Sequence, residues 1–230
     1  MNTQTSNACR RGDRGLWSSA RTEIDTVSGM ATVEVYADIV CPFAYVGLTR
    51  LIERRHRIGR DDVSFRILGW PLELVNGNSV DGHFIGEEVD EIAPQVAPDL
   101  FAGFDAARFP ASTLPGLALT TAAYDIDDAT GEAVAMELRR LVFEHGVDVS
   151  APAALTEVAH RHGVRTPADD SRVRDEWQAG RERGVVGSPH FFVDGESLFC
   201  PVLDIRRVDG ALVVHVDEQA VEAFVARCFG

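Results

Sequence analysis

Two short stretches of the chain alternate apolar and polar residues and predict β-strands with one buried face. The first runs over residues 33–39 and the second over residues 63–67, and in both the apolar residues occupy every second position. A period of two is typical of a strand, because successive side chains point to opposite faces. A third signal lies at residues 188–201, where two apolar runs flank an Asp-Gly pair. This pattern predicts a β-hairpin with a tight turn.

The apolar period changes between the second strand and the hairpin. There, apolar residues recur every three or four positions, and Ala, Leu, Glu and Arg are abundant. This period predicts α-helices. We expect them near residues 86–106, 116–126, 131–145, 152–162 and 168–183. A long helical segment therefore separates the first two strands from the hairpin.

Composition and charge narrow the class of protein. The chain has 230 residues, of which 45% are hydrophobic and 25% charged, enough to bury a sizeable core. Its 22 basic and 36 acidic residues give a net charge of −14, which argues against nucleic-acid and anionic-membrane partners. No apolar run has the length of a membrane span, and no signal-peptide pattern is present. We expect a cytoplasmic protein, monomeric or homodimeric.

The candidate chemistry begins at Cys41, which lies between the first strand and a helical pattern. Pro42 suits the first helical position, because its fixed φ is helical and its missing N–H has no partner there. Cys41 is therefore predicted at the N-cap, where free N–H groups and the helix dipole favour a thiolate. We expect a lowered pKa for this thiol. The alternative is a buried structural cysteine, which is common.

A second signal lies at Gly187, Ser188 and Pro189, directly before the strand that begins at His190. Together with the segment Cys41–Ala44 it resembles the active-site loop and the cis-proline loop of the thioredoxin superfamily. The resemblance implies that Pro189 is a cis proline packed against the reactive cysteine. It also implies that Ser188 offers backbone groups to a peptide or a small thiol. An ordinary trans proline is the alternative.

The segments DIVCPFAYVG, VVGSPHFFVDG and LFCPVL resemble the DsbA family. More narrowly, they resemble its FrnE-like and 2-hydroxychromene-2-carboxylate isomerase-like group, over residues 33–229. The resemblance implies an α/β thioredoxin-like fold, with a central mixed β-sheet flanked by helices and interrupted by an all-helical insertion. The expected division is a thioredoxin-like domain at 31–68 and 184–230, a helical insertion domain at 69–183 and a disordered tail at 1–30. Met30 is an alternative start.

Ala44 stands where the family carries its second, resolving cysteine. We therefore predict a DsbA-like thiol–disulfide oxidoreductase with a monothiol cycle, in which Cys41 attacks a disulfide or an electrophilic substrate. A low-molecular-weight thiol, glutathione or mycothiol, then releases the product. Phe43 is expected to form an apolar rim. We expect no tightly bound cofactor and no metal.

Two alternative functions stay open. In the isomerase and kappa-class transferase relatives, a Ser or Cys at the position of Cys41 stabilises a bound glutathione thiolate. A loop at the position of Asn76 contacts that thiol, although a simple turn explains the same residues. The other alternative is a non-catalytic module that binds peptides or ligands in the same groove. Tyr45 and His190 are candidate substrate or thiol contacts: the Tyr45 hydroxyl for a bound thiol or substrate, and His190 for proton transfer near Cys41. An aromatic packed under the insertion and a packed, hydrogen-bonded histidine are the alternatives.

The other three cysteines have different contexts. Cys200 lies on the second strand of the hairpin, and simple pairing about the turn places it opposite the region of His190 and hence near Cys41. It is a candidate to resolve a mixed disulfide on Cys41 if the two Cα atoms come within bridging range; a spectator thiol is the alternative. Cys228 fits the core face of the last helix. Cys9 lies in the predicted tail.

Overall fold

The computed structural model of the protein describes residues 31–193, 195–209, 211–216 and 218–229. The predicted tail, with Cys9 and Met30, lies outside the described residues. So does Asp194, the first residue of the predicted hairpin turn.

A four-stranded mixed sheet forms the centre of the molecule, with strand order β2-β1-β3-β4. Its strands are β1 (Ala31–Ala37), β2 (Val63–Gly69), β3 (His190–Val193) and β4 (Glu196–Phe199). Strands β1 and β2 are parallel, whereas β3 is antiparallel to both β1 and β4. Because β1 and β2 are parallel, they need a crossover, and α1 (Pro42–Arg57) supplies it.

Helices fill the chain between β2 and β3, as predicted. They are α2 (Leu72–Asn76), α3 (Gly82–Val96), α4 (Leu114–Ala123), α5 (Asp128–His145), α6 (Pro152–His162) and α7 (Ser171–Glu182), and α8 (Glu218–Phe229) follows the last strand. The main departure from prediction is α3, which was expected at 86–106. It starts earlier because the side chain of Asp81 accepts a hydrogen bond from the N–H of His83, at 2.8 Å. It ends earlier because Pro98 follows closely and Phe101 has a left-handed φ of 72°.

Side chains of the insertion form hydrogen bonds with backbone groups on the outer edge of β2. Glu132 of α5 accepts the N–H of Phe65 at 2.9 Å, and the hydroxyl of Tyr124 donates to the carbonyl of Phe65 at 2.8 Å. Glu176 of α7 accepts the N–H of Gly69 at 2.7 Å. An open strand edge is thereby closed by side chains instead of another strand.

A separate two-stranded sheet was not predicted. It consists of β5 (Asp204–Val208) and β6 (Ala211–His215), which are antiparallel. The side chain of Glu91 on α3 accepts the N–H of Leu212 at 2.6 Å, and that of Gln95 accepts the N–H of Val214 at 3.1 Å. These contacts hold the hairpin against α3.

One hydrophobic cluster extends through the central sheet and the insertion. Val35 and Phe65 of the sheet are fully buried in it, together with Ile92 of α3, Leu119 of α4 and Phe143 of α5. The predicted α/β thioredoxin-like fold with a helical insertion is confirmed, whereas the exact domain boundaries stay a prediction. Within the described residues, no helix combines the length and apolarity needed to cross a membrane.

Candidate active site

Cys41 caps the N-terminus of α1. Its backbone is extended, with φ −82° and ψ 111°, and Pro42 occupies the first helical turn. The Sγ atom accepts a hydrogen bond from the N–H of Ala44 at 3.4 Å. The carbonyl of Cys41 accepts from the N–H of Tyr45, at 3.1 Å. The local sequence thus places a thiol over the free N–H groups of a helix.

The loop before β3 lies against this thiol. The Ser188–Pro189 peptide bond is cis. The Sγ atom of Cys41 donates a hydrogen bond to the carbonyl oxygen of Ser188, at 3.1 Å. The hydroxyl oxygen of Ser188 accepts the N–H of Asp38, at 3.0 Å. Two hydrogen bonds therefore join this loop to the turn between β1 and α1.

The predicted lowering of the Cys41 pKa is wrong in this structure. Burial raises the pKa of the Cys41 thiol to about 11, because only 4% of the residue is exposed and a thiolate loses solvation. A hydrogen bond with the side chain of Ser188 and one with the N–H of Ala44 lower the pKa but do not offset burial. The nearby carboxylates of Asp38 and Glu88 raise the pKa further. Cys41 is therefore a protonated thiol at neutral pH.

Beneath the site lies a buried pair of charges, Asp38 and Arg139, that the sequence analysis missed. The carboxylate of Asp38 accepts the N–H of Leu72 at 2.5 Å and that of Val40 at 3.4 Å. The guanidinium of Arg139 donates to the backbone carbonyl of Asp38 at 3.1 Å. Burial raises the pKa of Asp38 and lowers that of Arg139 to about 10, still well above neutral. These contacts fix the turn that carries Cys41.

A cavity of about 610 Å³ opens at Cys41. It is bounded by the start of α1, by α2 and the loop after it, by one face of α3, and by the ends of β4 and β5. Its lining residues are Cys41, Pro42, Phe43, Leu72, Asn76, Asn78, Ser79, Val80, Asp81, Phe84, Ile85, Glu88, Ser188, Phe199, Cys200 and Ile205. Apolar and amide side chains dominate this wall.

Six of the predicted site residues meet in this cavity: Cys41, Pro42, Phe43, Asn76, Ser188 and Cys200. The other five, Ala44, Tyr45, Gly187, Pro189 and His190, do not line it. Ala44 is fully buried and serves through its backbone N–H. Gly187 packs against Phe199, where an added Cβ would come within 2.6 Å of the ring. Its lack of a side chain therefore serves packing.

Tyr45 and His190 need correction as ligand contacts. The hydroxyl of Tyr45 donates to Glu144 at 2.8 Å, and its ring stacks on Phe143 with centroids 5.1 Å apart. His190 accepts the N–H of Val186 on Nδ1 at 3.2 Å, and its Nε2 lies 2.6 Å from the hydroxyl of Ser197. Burial lowers the pKa of His190. Both side chains are engaged within the fold, so neither faces the cavity.

Cys200 lies one step beyond its predicted place. The register pairs His190 with Phe199, so Cys200 follows the last strand pair instead of joining it. Its N–H donates to the carbonyl of Pro189 at 2.9 Å. Burial raises the pKa of its thiol to about 12. Cys41 and Cys200 are both free thiols, with no disulfide between them.

Glu88 is one of the lining residues that were not predicted. Glu88 lies on the same face of α3 as Phe84 and Ile85, four and three residues before it. This helical spacing is the sequence signal that could have identified Glu88 as a lining residue. Burial raises the pKa of Glu88, and Arg207 lies 3.4 Å from its carboxylate. Among the described residues that line the cavity, none is Lys, Arg or His. Asp81 and Glu88 therefore give this wall a negative charge.

The described part of the chain contains no group of three or more His, Cys, Asp and Glu side chains that could hold a metal ion.

Comparisons with known proteins agree with this architecture. The sequence model of the family described as "DSBA-like thioredoxin domain" matches residues 32–213. No curated protein matches the chain significantly.

Solved structures with a similar fold include three of interest. A 2-hydroxychromene-2-carboxylate isomerase superposes with a TM-score of 0.54 at 18% identity, covering 73% of this chain and 88% of the isomerase. The cytosolic disulfide reductase DsbM from Pseudomonas aeruginosa superposes with a TM-score of 0.55 at 16% identity, covering 85% of this chain and 95% of DsbM. DsbM with GSH gives 0.54 at 15% identity, covering 73% and 88%. At these identities the likeness concerns the fold alone.

Proposed function

Because this chain belongs to the DSBA-like thioredoxin domain family, we propose that it is a thiol–disulfide oxidoreductase in which Cys41 is the nucleophile and a low-molecular-weight thiol can release the product. The observation that carries this proposal is the position of Cys41. Its sulfur lies at a helix N-terminus, against the carbonyl of Ser188, in the wall of an open cavity. A disulfide that enters this cavity meets the thiol directly.

The reaction that suits this site is a two-step exchange. Cys41 loses its proton and attacks one sulfur of the substrate disulfide, forming a mixed disulfide and releasing the other sulfur as a thiolate. A low-molecular-weight thiol then attacks the mixed disulfide and restores Cys41. After a second small thiol is consumed, the substrate disulfide is reduced to two thiols, and the small thiols leave as their own disulfide. Ala44 supplies an N–H to the sulfur but no second thiol.

The helix N-terminus supports the attacking state. The N–H of Ala44 points at Sγ, and no backbone rearrangement is needed for it to stabilise a thiolate. Pro42 has no N–H to offer at the first helical position, and the sulfur accepts from the N–H of Ala44.

The polar and charged side chains of the cavity wall favour one of the two candidate small thiols. Glutathione carries two carboxylates, whereas mycothiol carries sugar hydroxyls and no carboxylate. The side chains of Asn76, Asn78 and Ser79 offer neutral hydrogen-bonding groups, and Asp81 and Glu88 offer negative charge. Because glutathione also carries one ammonium group, it is a net monoanion, and the wall thus suits an uncharged polyhydroxylated thiol better than this anion. The DsbM structure with GSH keeps glutathione as the second candidate thiol.

The test is a coupled reduction of 2-hydroxyethyl disulfide by the purified full chain, with glutathione and mycothiol in separate assays. We expect turnover by wild type and loss of about a hundredfold or more in Cys41→Ala and Cys41→Ser, since either change removes the nucleophile. Cys228→Ser is the matched control, because Cys228 is also buried but does not line the cavity. Equal rates for wild type and Cys41→Ala overturn the proposal.

A second candidate function is a glutathione-dependent isomerase or transferase. One observation favours it: a protonated Cys41, with Asn76 in the same cavity, is a hydrogen-bond donor for the thiolate of a bound cofactor. A serine hydroxyl at position 41 would donate the same hydrogen bond. Activity that survives Cys41→Ser but not Cys41→Ala therefore indicates this function, and ligand affinity that survives both without turnover indicates a binding module.

A further inference from the structure

A second thiol lies in the wall of the same cavity. Cys200 lines it together with Cys41, and only 8% of Cys200 is exposed. The two residues come from distant parts of the chain, one from the start of α1 and the other from the end of β4. Cys228, the third thiol in the described part of the chain, does not line the cavity.

The cis Ser188–Pro189 pair joins the two cysteines. The Sγ atom of Cys41 donates to the carbonyl of Ser188 at 3.1 Å, and the N–H of Cys200 donates to the carbonyl of Pro189 at 2.9 Å. Consecutive carbonyls of one dipeptide thus bind Cys41 through its side chain and Cys200 through its backbone. The carbonyl of Cys200 also accepts from the N–H of Leu203 at 3.4 Å, which fixes the turn after β4.

We infer that Cys200 is a resolving cysteine for Cys41, acting across the cis-proline loop in place of the residue that Ala44 replaces. The inference rests on the proposed function, since Cys41 must first form a mixed disulfide. It adds an internal route of release beside the external thiol. The chain then operates as a two-cysteine oxidoreductase whose second cysteine lies outside the helix motif.

The electron balance of this route is complete. After Cys41 attacks the substrate disulfide, Cys200 loses its proton and attacks the Cys41 sulfur of the mixed disulfide. A Cys41–Cys200 bond forms as the bond to the substrate sulfur breaks, and that sulfur leaves as a thiolate and takes a proton. The substrate is reduced by two electrons and the protein dithiol is oxidised. Two equivalents of a low-molecular-weight thiol reduce the protein disulfide and complete the cycle.

The electrostatics agree with this order of events. Burial raises the pKa of both thiols, and the pKa of Cys200 is the higher, at about 12 against about 11. Cys41 is the attacking thiol because its sulfur accepts the N–H of Ala44 at the helix N-terminus. Negative charge on Cys41 is one of the causes that raise the pKa of Cys200, and Cys41 carries no such charge in a mixed disulfide.

The experiment follows the fate of Cys41 after oxidation with 2-hydroxyethyl disulfide. Full-length wild type, Cys200→Ser, Cys200→Ala and Cys228→Ser are treated, quenched with acid, alkylated and mapped by non-reducing mass spectrometry. In wild type and Cys228→Ser we expect a peptide pair linked through Cys41 and Cys200. In both Cys200 variants we expect the 2-mercaptoethanol adduct to persist on Cys41, with a lifetime about tenfold longer or more.

The outcomes separate this inference from the proposed function. An adduct on Cys41 that persists equally in wild type and in both Cys200 variants overturns the resolving role but leaves Cys41 as the nucleophile. An absence of any adduct or linked peptide at Cys41 overturns both. Because the linked peptide is sought in the wild-type chain, a misfolded variant does not decide the result.

Discussion

The thiol of Cys41 lies 3.1 Å from the carbonyl oxygen of Ser188, although 147 residues separate them in sequence. This contact brings the N-terminus of α1 to the cis-proline loop, which joins the insertion to the hairpin. The site is therefore built only when β3 has paired with β1, because that pairing brings the cis-proline loop to Cys41. Its chemistry depends on what burial does to this sulfur.

The reactivity of Cys41 is expected to rise with pH well beyond neutrality. Its folded pKa, about 11, lies above the ordinary value near 8.5, so the native thiol keeps its proton where an unfolded one ionises. At pH 7 about one molecule in ten thousand carries the thiolate. Pulsed iodoacetamide alkylation of the Cys41 peptide, followed by mass spectrometry, should accelerate about tenfold per pH unit from pH 7 to about pH 10. The denatured chain, with its ordinary pKa, is the control; a plateau near neutral pH in the native protein contradicts the expectation.

Glu88 should set the charge preference of the cavity. The carboxylate of Glu88 lines the wall and is one of the groups that raise the pKa of Cys41. Replacing Glu88 by Gln removes this carboxylate. We expect Glu88→Gln to increase turnover with glutathione about threefold to tenfold relative to turnover with mycothiol, because repulsion of the glutathione carboxylates falls. Glu87→Gln is the matched control, since Glu87 is exposed and does not line the cavity. Equal effects of both variants would mean that overall charge, not the cavity wall, governs selectivity.

The buried pair Asp38 and Arg139 should dominate the stability of the site. Arg139→Met removes the donor to the Asp38 carbonyl, leaves that buried acceptor unpaired and should cost about 1–3 kcal/mol of unfolding free energy. Asp38→Asn keeps one acceptor for two backbone N–H donors and should cost about 1–3 kcal/mol. Urea unfolding measures both.

Two further variants complete that experiment. The double variant Asp38→Asn, Arg139→Met should lose less than the sum of the single losses, because the two groups interact. Arg140→Met, on an exposed neighbour, should change stability little. Additive losses in the double variant would show that the two charges are energetically independent.

The sequence was sufficient for the main outline because the period of its apolar residues changes clearly. The strands and most helices bury continuous apolar faces, and Cys41 with Pro42 marks the start of α1. The β5–β6 hairpin was missed because its strands are short and half exposed. It is held by side chains of α3, Glu91 and Gln95, which sequence periodicity does not register.

The electrostatics of the site could not be predicted in the same way. Position at an N-cap predicts a lowered thiol pKa, but burial is decided by residues far along the chain that close over Cys41. Asp38 follows an alternating strand pattern, in which a polar residue is expected to face water. It is fully buried because the chain turns there and surrounds it with backbone donors and Arg139.

Gly131 packs against Tyr124, whose hydroxyl links the insertion to the central sheet, and a single methyl group at Gly131 should break this arrangement. A Cβ at position 131 would come within 2.2 Å of the Tyr124 ring. The ring would have to move, and its hydroxyl, which donates to Phe65 and accepts from Ile67, would leave the edge of β2. We expect Gly131→Ala to reduce the free energy of unfolding by about 1–3 kcal/mol, measured by urea denaturation.

Gly86→Ala is its matched control. Gly86 is also helical, on α3, but the nearest atom to an added Cβ there is 3.4 Å away, on the Phe104 ring. Because alanine has a higher helix propensity than glycine, Gly86→Ala should leave the free energy of unfolding unchanged or raise it by up to about 1 kcal/mol. If both variants gain stability, helix propensity outweighs the contact and Tyr124 moves without cost. If only Gly131→Ala loses stability, the close packing of α5 on Tyr124 is what holds the insertion to the edge of β2.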